Sequence, residues 1–400
     1  MKKAFLILTA CLAAGLVNQA RAARNIGDVT VGVDARMLSV HVSANTPELN
    51  ALALEAFGSH GRYHLVYGPG QFNIRFTLVA PREVRVDITK GASGAPVHSQ
   101  TVTGTSDRNA LLKAADVAVE RTNLQGLKGY FASKIAFISE RTGKREVYVS
   151  DLFFGDVQEI THDRALALSP RWYPDGSRIV YTSYFHSGFP DIFEINLRTY
   201  QRTTFASFRG TNTGARFSPN GLMVAEILSG AGNPDLYVGN SQGQRLRQLT
   251  HTDAVEASPC FSPDSSRIVY TSDAAGGPQL YVMSARGGAA TRLPTAISNY
   301  CAEPDWSRGD PNKIAFTIRI GRGYQIAVYD MRERRSKQVS RAPYDGVEPA
   351  WLADGRHLLY TARTPQESRI CLLDTETGKT TVISPAALGS VSAVSVLDPR

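Results

Sequence analysis

Two short motifs in this chain match patterns that carry chemistry in enzymes. Gly239 to Gly243 fit G-x-S-x-G, in which Ser241 would be a nucleophile held between a strand and a helix. Gly378, Lys379 and Thr380 resemble the end of a phosphate-binding loop, but no glycine-rich turn precedes them. Strand-like segments flank both motifs, so we expect two hairpin turns and neither hydrolysis nor phosphate binding.

The chain offers no pattern typical of a metal site. It contains no HExxH motif, no EF-hand loop and no CxxC pair. Four histidines stand in separate segments without ligand spacing and among polar neighbours: His162, His186, His251 and His357. We expect them to be solvated loop residues, and we expect no cofactor.

Cysteine contributes little to the functional assignment. Besides Cys11, the chain has Cys260, Cys301 and Cys371. Cys260 falls in a strand-like segment and Cys301 in a predicted loop, which favours three unpaired, mostly buried thiols. A bridge between Cys260 and Cys301 is the alternative that an oxidising compartment would permit.

Charge is mildly basic and scattered. The formal net charge is +8 over 400 residues. The densest cluster, Arg332 to Lys337, includes Glu333 and lies between two strand-like segments, which indicates a solvated hairpin tip. We therefore expect no nucleic-acid partner.

An internal repeat determines the predicted architecture. One aromatic position recurs at intervals of 44 or 45 residues, at Trp172, Phe217, Phe261, Trp306 and Trp351. Each copy continues through a Pro-Asp-Gly-like turn into a β-branched strand such as Ile179 to Thr182. This length suits one four-stranded propeller blade, and the aromatic residue is expected to wedge between neighbouring blades.

A sixth, incomplete copy precedes these five. Residues 134–139 and 146–149 match its second and third strands, but its first strand is missing. We expect residues 391–396 to supply that strand, which would close the ring and remove open sheet edges. The fold class is thus mainly β, a six-bladed β-propeller over residues 131–400.

The segment before the repeats has mixed periodicity. Strand-like runs cover 28–33, 38–42, 73–79 and 83–88, and helical periodicity covers 47–57 and 108–124. Residues 23–130 therefore form a predicted small α/β domain. Residues 1–22 have the basic start, apolar stretch and small-residue end of a secretory signal peptide, and no other segment is apolar enough to span a membrane. The alternative is a lipoprotein cleavage box ending at Cys11.

The repeats resemble the TolB family, the periplasmic component of the Tol-Pal system of Gram-negative bacteria. The similarity is carried by the blade at residues 261–281, the loop at 206–214, the segment joining the two domains at 123–131 and the terminal strand at 391–399. The N-terminal domain is shorter than the family pattern. The resemblance implies a monomeric, non-catalytic periplasmic protein that receives Pal, the peptidoglycan-associated lipoprotein, on one propeller face. The N-terminal domain would communicate with inner-membrane Tol proteins, and the assembly would maintain outer-membrane integrity during cell division.

Two other functions fit the repeats. A periplasmic sensor propeller could hold a small ligand or a glycan in its central funnel, and an isolated peptidase-like propeller is the third reading. For the favoured function, the resemblance to the TolB family implies that Pal binds at the mouth of the funnel. The loops that precede the first strand of each blade lie there, and they differ while the strands agree, as expected of loops that carry function. We place the partner site on Thr211, Asn212, Gly214, Glu256, Ala257, Glu303 and Glu348. Glu303 and Glu348 each precede proline and could instead shape the start of a strand.

Overall fold

The computed structural model describes residues 37–92, 94–186 and 188–399. The predicted signal peptide, Cys11 and the strand predicted at 28–33 lie outside the described residues. Mainly β structure is observed, with a six-bladed β-propeller after a small α/β region, so the predicted fold class is confirmed.

The α/β domain is one five-stranded sheet covered by two helices. Its strands follow the order β2-β1-β3-β4-β5, with β1 parallel to both β2 and β3. The elements are β1 Leu38–Ala44, α1 Pro47–Ser59, β2 Tyr63–Leu65, β3 Phe72–Ala80, β4 Glu83–Lys90, β5 His98–Thr103 and α2 Asp107–Thr122. Both helices begin at a capping side chain, because Thr46 and Ser106 accept hydrogen bonds from the main-chain N–H groups of Leu49 and Asn109.

The propeller strands follow in chain order. They are β6 Lys134–Ser139, β7 Glu146–Asp151, β8 Gln158–Glu159, β9 Ala167–Trp172, β10 Arg178–Ser183, β11 Asp191–Asn196, β12 Arg202–Ala206, β13 Asn212–Phe217, β14 Met223–Leu228, β15 Asp235–Asn240, β16 Arg247–Gln248, β17 Glu256–Phe261, β18 Arg267–Ser272, β19 Gln279–Ser284, β20 Thr291–Arg292, β21 Cys301–Trp306, β22 Lys313–Ile320, β23 Gly323–Asp330, β24 Arg335–Gln338, β25 Asp345–Trp351, β26 His357–Arg363, β27 Ser368–Asp374, β28 Thr380–Val382 and β29 Val391–Leu397. A short 3-10 turn at Ala386–Leu388 precedes the last strand.

Each blade is a four-stranded antiparallel sheet. Blade 1 combines β29 with β6, β7 and β8, and blades 2 to 6 take the following strands four at a time. The terminal strand β29 pairs with β6 from Val391–Ser139 to Leu397–Lys134, so the two ends of the propeller meet in one sheet. Closure in this way leaves the ring without an open edge between first and last blades.

Aromatic residues pack between the blades, as the repeat predicted. Trp172 and Trp351 are buried, and each ring nitrogen donates to a carbonyl in the preceding blade: Trp172 to Ser395 at 3.2 Å and Trp351 to Asp305 at 3.1 Å. A large aromatic ring fills the space between two blades, and its one polar atom is hydrogen-bonded there. These residues therefore hold neighbouring blades together.

The remaining cysteines are free. Cys260, Cys301 and Cys371 are buried and unpaired, as predicted. Cys301, however, begins β21 and does not lie in a loop. A bulge at Glu303 interrupts the alternation of this strand. The sequence pattern therefore predicted a loop at Cys301.

The α/β domain packs on one end of blades 6 and 1. We call this end, where the turns joining first and second strands lie, the base, and the opposite end the mouth. Arg108 of α2 forms an ion pair with Asp151 at the end of β7, and the Lys379 ammonium donates to the Gly58 carbonyl. Buried apolar residues of both domains form one continuous core. The mouth is therefore left uncovered by the described part of the α/β domain.

Asp116 of α2 holds the segment that joins the two domains. Its carboxylate accepts the main-chain N–H groups of Phe131 at 2.6 Å and Ala132 at 3.0 Å. Burial raises the pKa of Asp116 to about 7, although these hydrogen bonds oppose the shift. Among the described residues, neither helix is long and apolar enough to cross a membrane.

Candidate functional site

The first strand of every blade contains the same bulge. Register shifts interrupt the pairing of each first strand with its neighbour. At each shift one residue has positive φ, between 49° and 69°: Ser169, Gly214, Ser258, Glu303, Glu348 and Ala393. A residue in this conformation re-aims the chain, and only glycine adopts it without cost. Three predicted site residues thus occupy one repeated position on the inner wall.

Glu303 and Glu348 fasten neighbouring blades. The Glu303 carboxylate accepts the Thr317 hydroxyl of its own blade at 2.7 Å and the Glu348 N–H of the next blade at 3.0 Å. Glu348 repeats the pattern with Thr361 at 2.8 Å and the Ala393 N–H at 2.8 Å. Burial and the neighbouring Glu348 carboxylate raise the pKa of Glu303. Both residues therefore have a structural role, but they link neighbouring blades from within a strand and do not stand at a strand start.

Asn212 anchors a mouth loop from below. Its side chain is fully buried and bonds both main-chain groups of Phe208, with Oδ1 accepting the N–H at 2.8 Å and Nδ2 donating to the carbonyl at 2.8 Å. Because both atoms of the amide are occupied, Asn212 fixes the position of Phe208. Asn212 is itself buried and is not part of the mouth surface.

Glu256 holds the equivalent position in blade 4. It is also buried, and it accepts the hydroxyls of Ser272 at 3.0 Å and Thr252 at 3.1 Å. Burial raises the pKa of Glu256 to about 7, which the two hydroxyls partly counteract. Its second carboxylate oxygen has no hydrogen-bond partner within the described residues.

The remaining predicted residues are partly accessible. Thr211, Gly214 and Ala257 are half-buried on the inner edge of the mouth. The Thr211 N–H donates to the Ser229 hydroxyl at 2.7 Å, which joins the loop before β13 to the loop after β14. Gly214 has φ +69° and a Cβ there would lie 3.4 Å from Pro259, so larger residues at this position are strained.

The mouth also exposes apolar side chains that the sequence analysis did not select. Four lie in loops before first strands or between second and third strands, and Ile320 is the last residue of β22: Phe185, Phe189, Phe208, Ile320 and Tyr344. Exposed aromatic residues on the rim of a rigid scaffold are typical of protein-binding surfaces. Apolar residues within otherwise polar loops were the available signal in the sequence.

A polar channel runs through the centre of the ring. Two cavities, of about 280 Å³ towards the base and about 80 Å³ towards the mouth, share Arg171 and Arg216 as lining residues. Arg216 forms an ion pair with Asp305 across the channel. Trp172, Trp306 and Trp351 are among the lining residues of the larger cavity, in addition to packing between blades.

The expectation for His357 is wrong. It begins β26, is fully buried beneath the α/β domain, and its Nδ1 lies 2.6 Å from the Asp354 carboxylate. Burial lowers the pKa of His357, but Asp354 and Asp374 outweigh burial and raise it to about 9. His357 escaped prediction because Asp374 of the adjacent strand and His60 of the covering α/β domain reach it only in the folded chain. His162, His186 and His251 are exposed, as expected.

His60 of the α/β domain completes this buried cluster. Donor atoms of His60, Asp354 and His357 all lie within 4.8 Å of one another, a separation that could accommodate a metal ion. The ring centroids of His60 and His357 are 4.2 Å apart. However, Asp354 and Asp374 already bond His357, and Arg356 pairs with Asp374 at 2.6 Å. The cluster is thus charge-balanced as it stands and serves as a contact between domains.

Both enzyme-like motifs lie in hairpin turns. Ser241 follows β15 and precedes β16, and Gly378 precedes β28 with φ +77°. Neither is followed by a helix, which a nucleophile elbow or a phosphate loop requires. The charged cluster at 332–337 likewise forms the exposed turn between β23 and β24 and the start of β24.

Comparison with known proteins places the chain in a family. The family model for the TolB beta propeller domain matches residues 122–395. The Tol-Pal system protein TolB of Desulfosudis oleivorans is 36% identical over 129 residues, 32% of this chain and 29% of that protein. The TolB homolog of Chlorobium luteolum is 30% identical over 164 residues, 41% of this chain and 37% of that protein. The matched segments thus span about a third of the length of these relatives.

A solved structure extends the similarity of fold to both domains. The crystal structure of TolB from Acinetobacter baumannii superposes with a TM-score of 0.78 and 21% identity, covering 90% of this chain and 96% of that one. Residues 122–395, matched by the family model, contain β6 to β28 and most of β29. The chain therefore belongs to the TolB beta propeller domain family.

Proposed function

We propose that this chain is a non-catalytic, periplasmic protein-binding component of a Tol-Pal-like system. Its mouth would receive a Pal-like peptidoglycan-associated lipoprotein, and the complex would help maintain the outer membrane during constriction at division. Family membership supports this proposal, and two relatives carry Tol-Pal or TolB names. The predicted signal peptide supports export to the periplasm.

The observation that carries the proposal is the exposed apolar rim of the mouth. Phe189 and Phe208 project from loops on either side of β11 and β12, and Tyr344 lies three blades further round the ring. Rigid blades hold these loops through buried anchors such as Asn212, so little order has to be gained when a partner binds. Thr211, Gly214 and Ala257 then offer an accessible inner edge, while Glu256, Glu303 and Glu348 shape the wall beneath.

The position of the α/β domain suits a protein with two separate contacts. This domain packs at the base, against blades 6 and 1, and leaves the mouth uncovered. We propose that it faces inner-membrane Tol proteins while the mouth holds the lipoprotein, with one copy of the chain in each complex.

One observation favours a second function. The channel contains a cavity of about 280 Å³ that three tryptophans line, and a small ligand or glycan could occupy it. In this case the exposed rim of the mouth would have no partner, so the two proposals differ in the effect of rim substitutions.

The test is binding of a purified Pal homologue from the same organism to rim variants. Phe208 is 50% exposed at the mouth and Tyr200 is 53% exposed at the base of the same blade. We expect Phe208→Glu to weaken binding about tenfold or more, because a charge replaces an aromatic contact. Tyr200→Glu is the matched control and should bind as the unaltered protein does. Equal affinity for both variants would refute the mouth as the binding face.

A second measurement addresses catalysis. We expect no turnover of peptide or ester substrates, because Ser241 lies in a hairpin between β15 and β16 and not at the strand-to-helix turn of a nucleophile elbow. Turnover that Ser241→Ala abolishes would contradict a purely binding role.

A further inference from the structure

Three side chains that can donate hydrogen bonds line the central channel from three neighbouring blades. Ser395, Arg171 and Arg216 occupy the same position, two residues after the bulge, in blades 1, 2 and 3. All three line the larger cavity. We call them the donor arc. The equivalent residues in blades 4, 5 and 6 are Cys260, Asp305 and Ala350.

The hydrogen-bonding capacity of the donor arc is mostly unused. Within the described residues, the Arg171 guanidinium donates one hydrogen bond, to the Pro170 carbonyl at 3.1 Å. Ser395 is 7% exposed, and its buried hydroxyl has no hydrogen-bond partner within the same residues. A guanidinium has five N–H donors, so several remain for a ligand.

The acids near the arc are committed elsewhere. The Asp305 carboxylate pairs with Arg216 and accepts a hydrogen bond from the main-chain N–H of Trp351 at 2.7 Å. Glu303 and Glu348 fasten blades through threonine hydroxyls and main-chain N–H groups. Arg171 and Arg216 therefore share one carboxylate at this level of the channel, that of Asp305. Because Asp305 pairs with Arg216, the charge of Arg171 lacks a direct partner within the described residues. Burial, and then the neighbouring Arg216, lower the pKa of Arg171 to about 10, so it stays cationic at neutral pH.

We propose that the donor arc binds a carboxylate. A carboxylate can accept two parallel N–H bonds from one guanidinium, which makes the Arg171 side chain the main contact. The Ser395 hydroxyl donates a further bond, and the tryptophan-lined cavity of about 280 Å³ takes the carbon portion. This chemistry has two sources, a free organic acid or an acidic side chain of the protein held at the mouth. The second source rests on the proposed function.

The test uses trifluoroacetate, followed by fluorine NMR, with the full mature chain. We expect saturable binding that Arg171→Met weakens about tenfold or more and Ser395→Ala weakens a few-fold, since one loses a charged bidentate donor and the other one hydroxyl. Arg332→Ala removes the same charge from the exposed hairpin at 332–337 and should leave binding unchanged. Acetate should compete with the probe in the unaltered protein.

Folding is checked separately. Removing an unpaired buried cation should not lower the melting temperature, so Arg171→Met is expected to remain folded. Absence of trifluoroacetate binding to the unaltered protein, or equal binding by folded Arg171→Met, would overturn the proposal.

A further arm distinguishes the sources. If Arg171→Met also weakens binding of the mouth partner, the carboxylate belongs to that partner. If partner binding is unchanged while trifluoroacetate binding is lost, the ligand is a free acid. Because trifluoroacetate binding needs no partner, failure of this inference is separable from failure of the proposed function.

Discussion

A buried carboxyl group in blade 3 makes a sharp prediction about pH. Glu226 of β14 is fully buried, and neither carboxylate oxygen has a hydrogen-bond partner in the described residues. Val224 lies on the same strand face and packs against Val180 and Ile192 of blade 2, so Glu226 also points towards that blade. The equivalent positions in the other blades are aromatic: Phe137, Tyr181, Tyr270, Phe316 and Tyr360.

The size of the change in unfolding free energy follows from the shifted pKa of Glu226. Burial raises the pKa of Glu226 from its ordinary value of 4.5 to about 8. The folded protein keeps the proton up to about pH 8, whereas the unfolded chain releases it above about pH 4.5. The unfolding free energy therefore falls as pH rises between these values. Each pKa unit corresponds to about 1.4 kcal/mol, so the loss from this group is about 4 to 5 kcal/mol.

Glu226→Gln isolates this contribution because it keeps the shape and removes the titration. We expect the variant and the unaltered protein to differ little at pH 5, and the variant to be more stable by several kcal/mol at pH 9. Urea denaturation at half-unit pH intervals measures the difference. Glu333→Gln, in the exposed turn before β24, is the control with the same charge change. Parallel pH profiles for Glu226→Gln and the unaltered protein would refute the reasoning.

Three further predictions concern the domain contact and ring closure. Gly61→Ala should lower the unfolding free energy by about 1 to 3 kcal/mol in thermal melts, because its Cβ would overlap the Asp374 carboxylate; an unchanged melt would show that the two domains separate easily. Asp116→Ala should cost about 2 to 5 kcal/mol by orphaning two buried N–H groups, whereas Asp116→Asn, which keeps one acceptor, should cost less; equal losses would argue against this role. Deleting residues 391–400 should abolish cooperative melting, since β6 loses its partner and Glu348 its inter-blade contact; a soluble chain with an unaltered melt would contradict closure through β29.

Periodicity was sufficient to predict the blades but not the exposed apolar residues of the proposed binding surface. The aromatic repeat and the turn after it specify strands one and two of each blade, because both depend on local preferences and a fixed spacing. The rim residues Phe189, Phe208 and Tyr344 lack such a repeat. Their exposure depends on how each loop is anchored, as Asn212 does for Phe208.

The role of Glu303 illustrates the same limit. Its place before proline indicated a structural alternative, yet only the neighbouring blade supplies the Glu348 N–H that it accepts. Asn212 and Glu256 were selected as loop residues, and the structure places both as buried first residues of strands.

The sequence by itself determined the propeller, the number of blades, the α/β domain and the family resemblance, because repeats and alternation are local signals that survive without knowledge of contacts. Tertiary structure alone decided what meets across the ring and between domains. It brought His357 against His60, aligned Ser395 with Arg171 although they stand at distant points of the chain, and buried Glu226 without a partner. The physical reason is that charge, burial and hydrogen bonding depend on neighbours that chain closure supplies, and no local pattern records those neighbours.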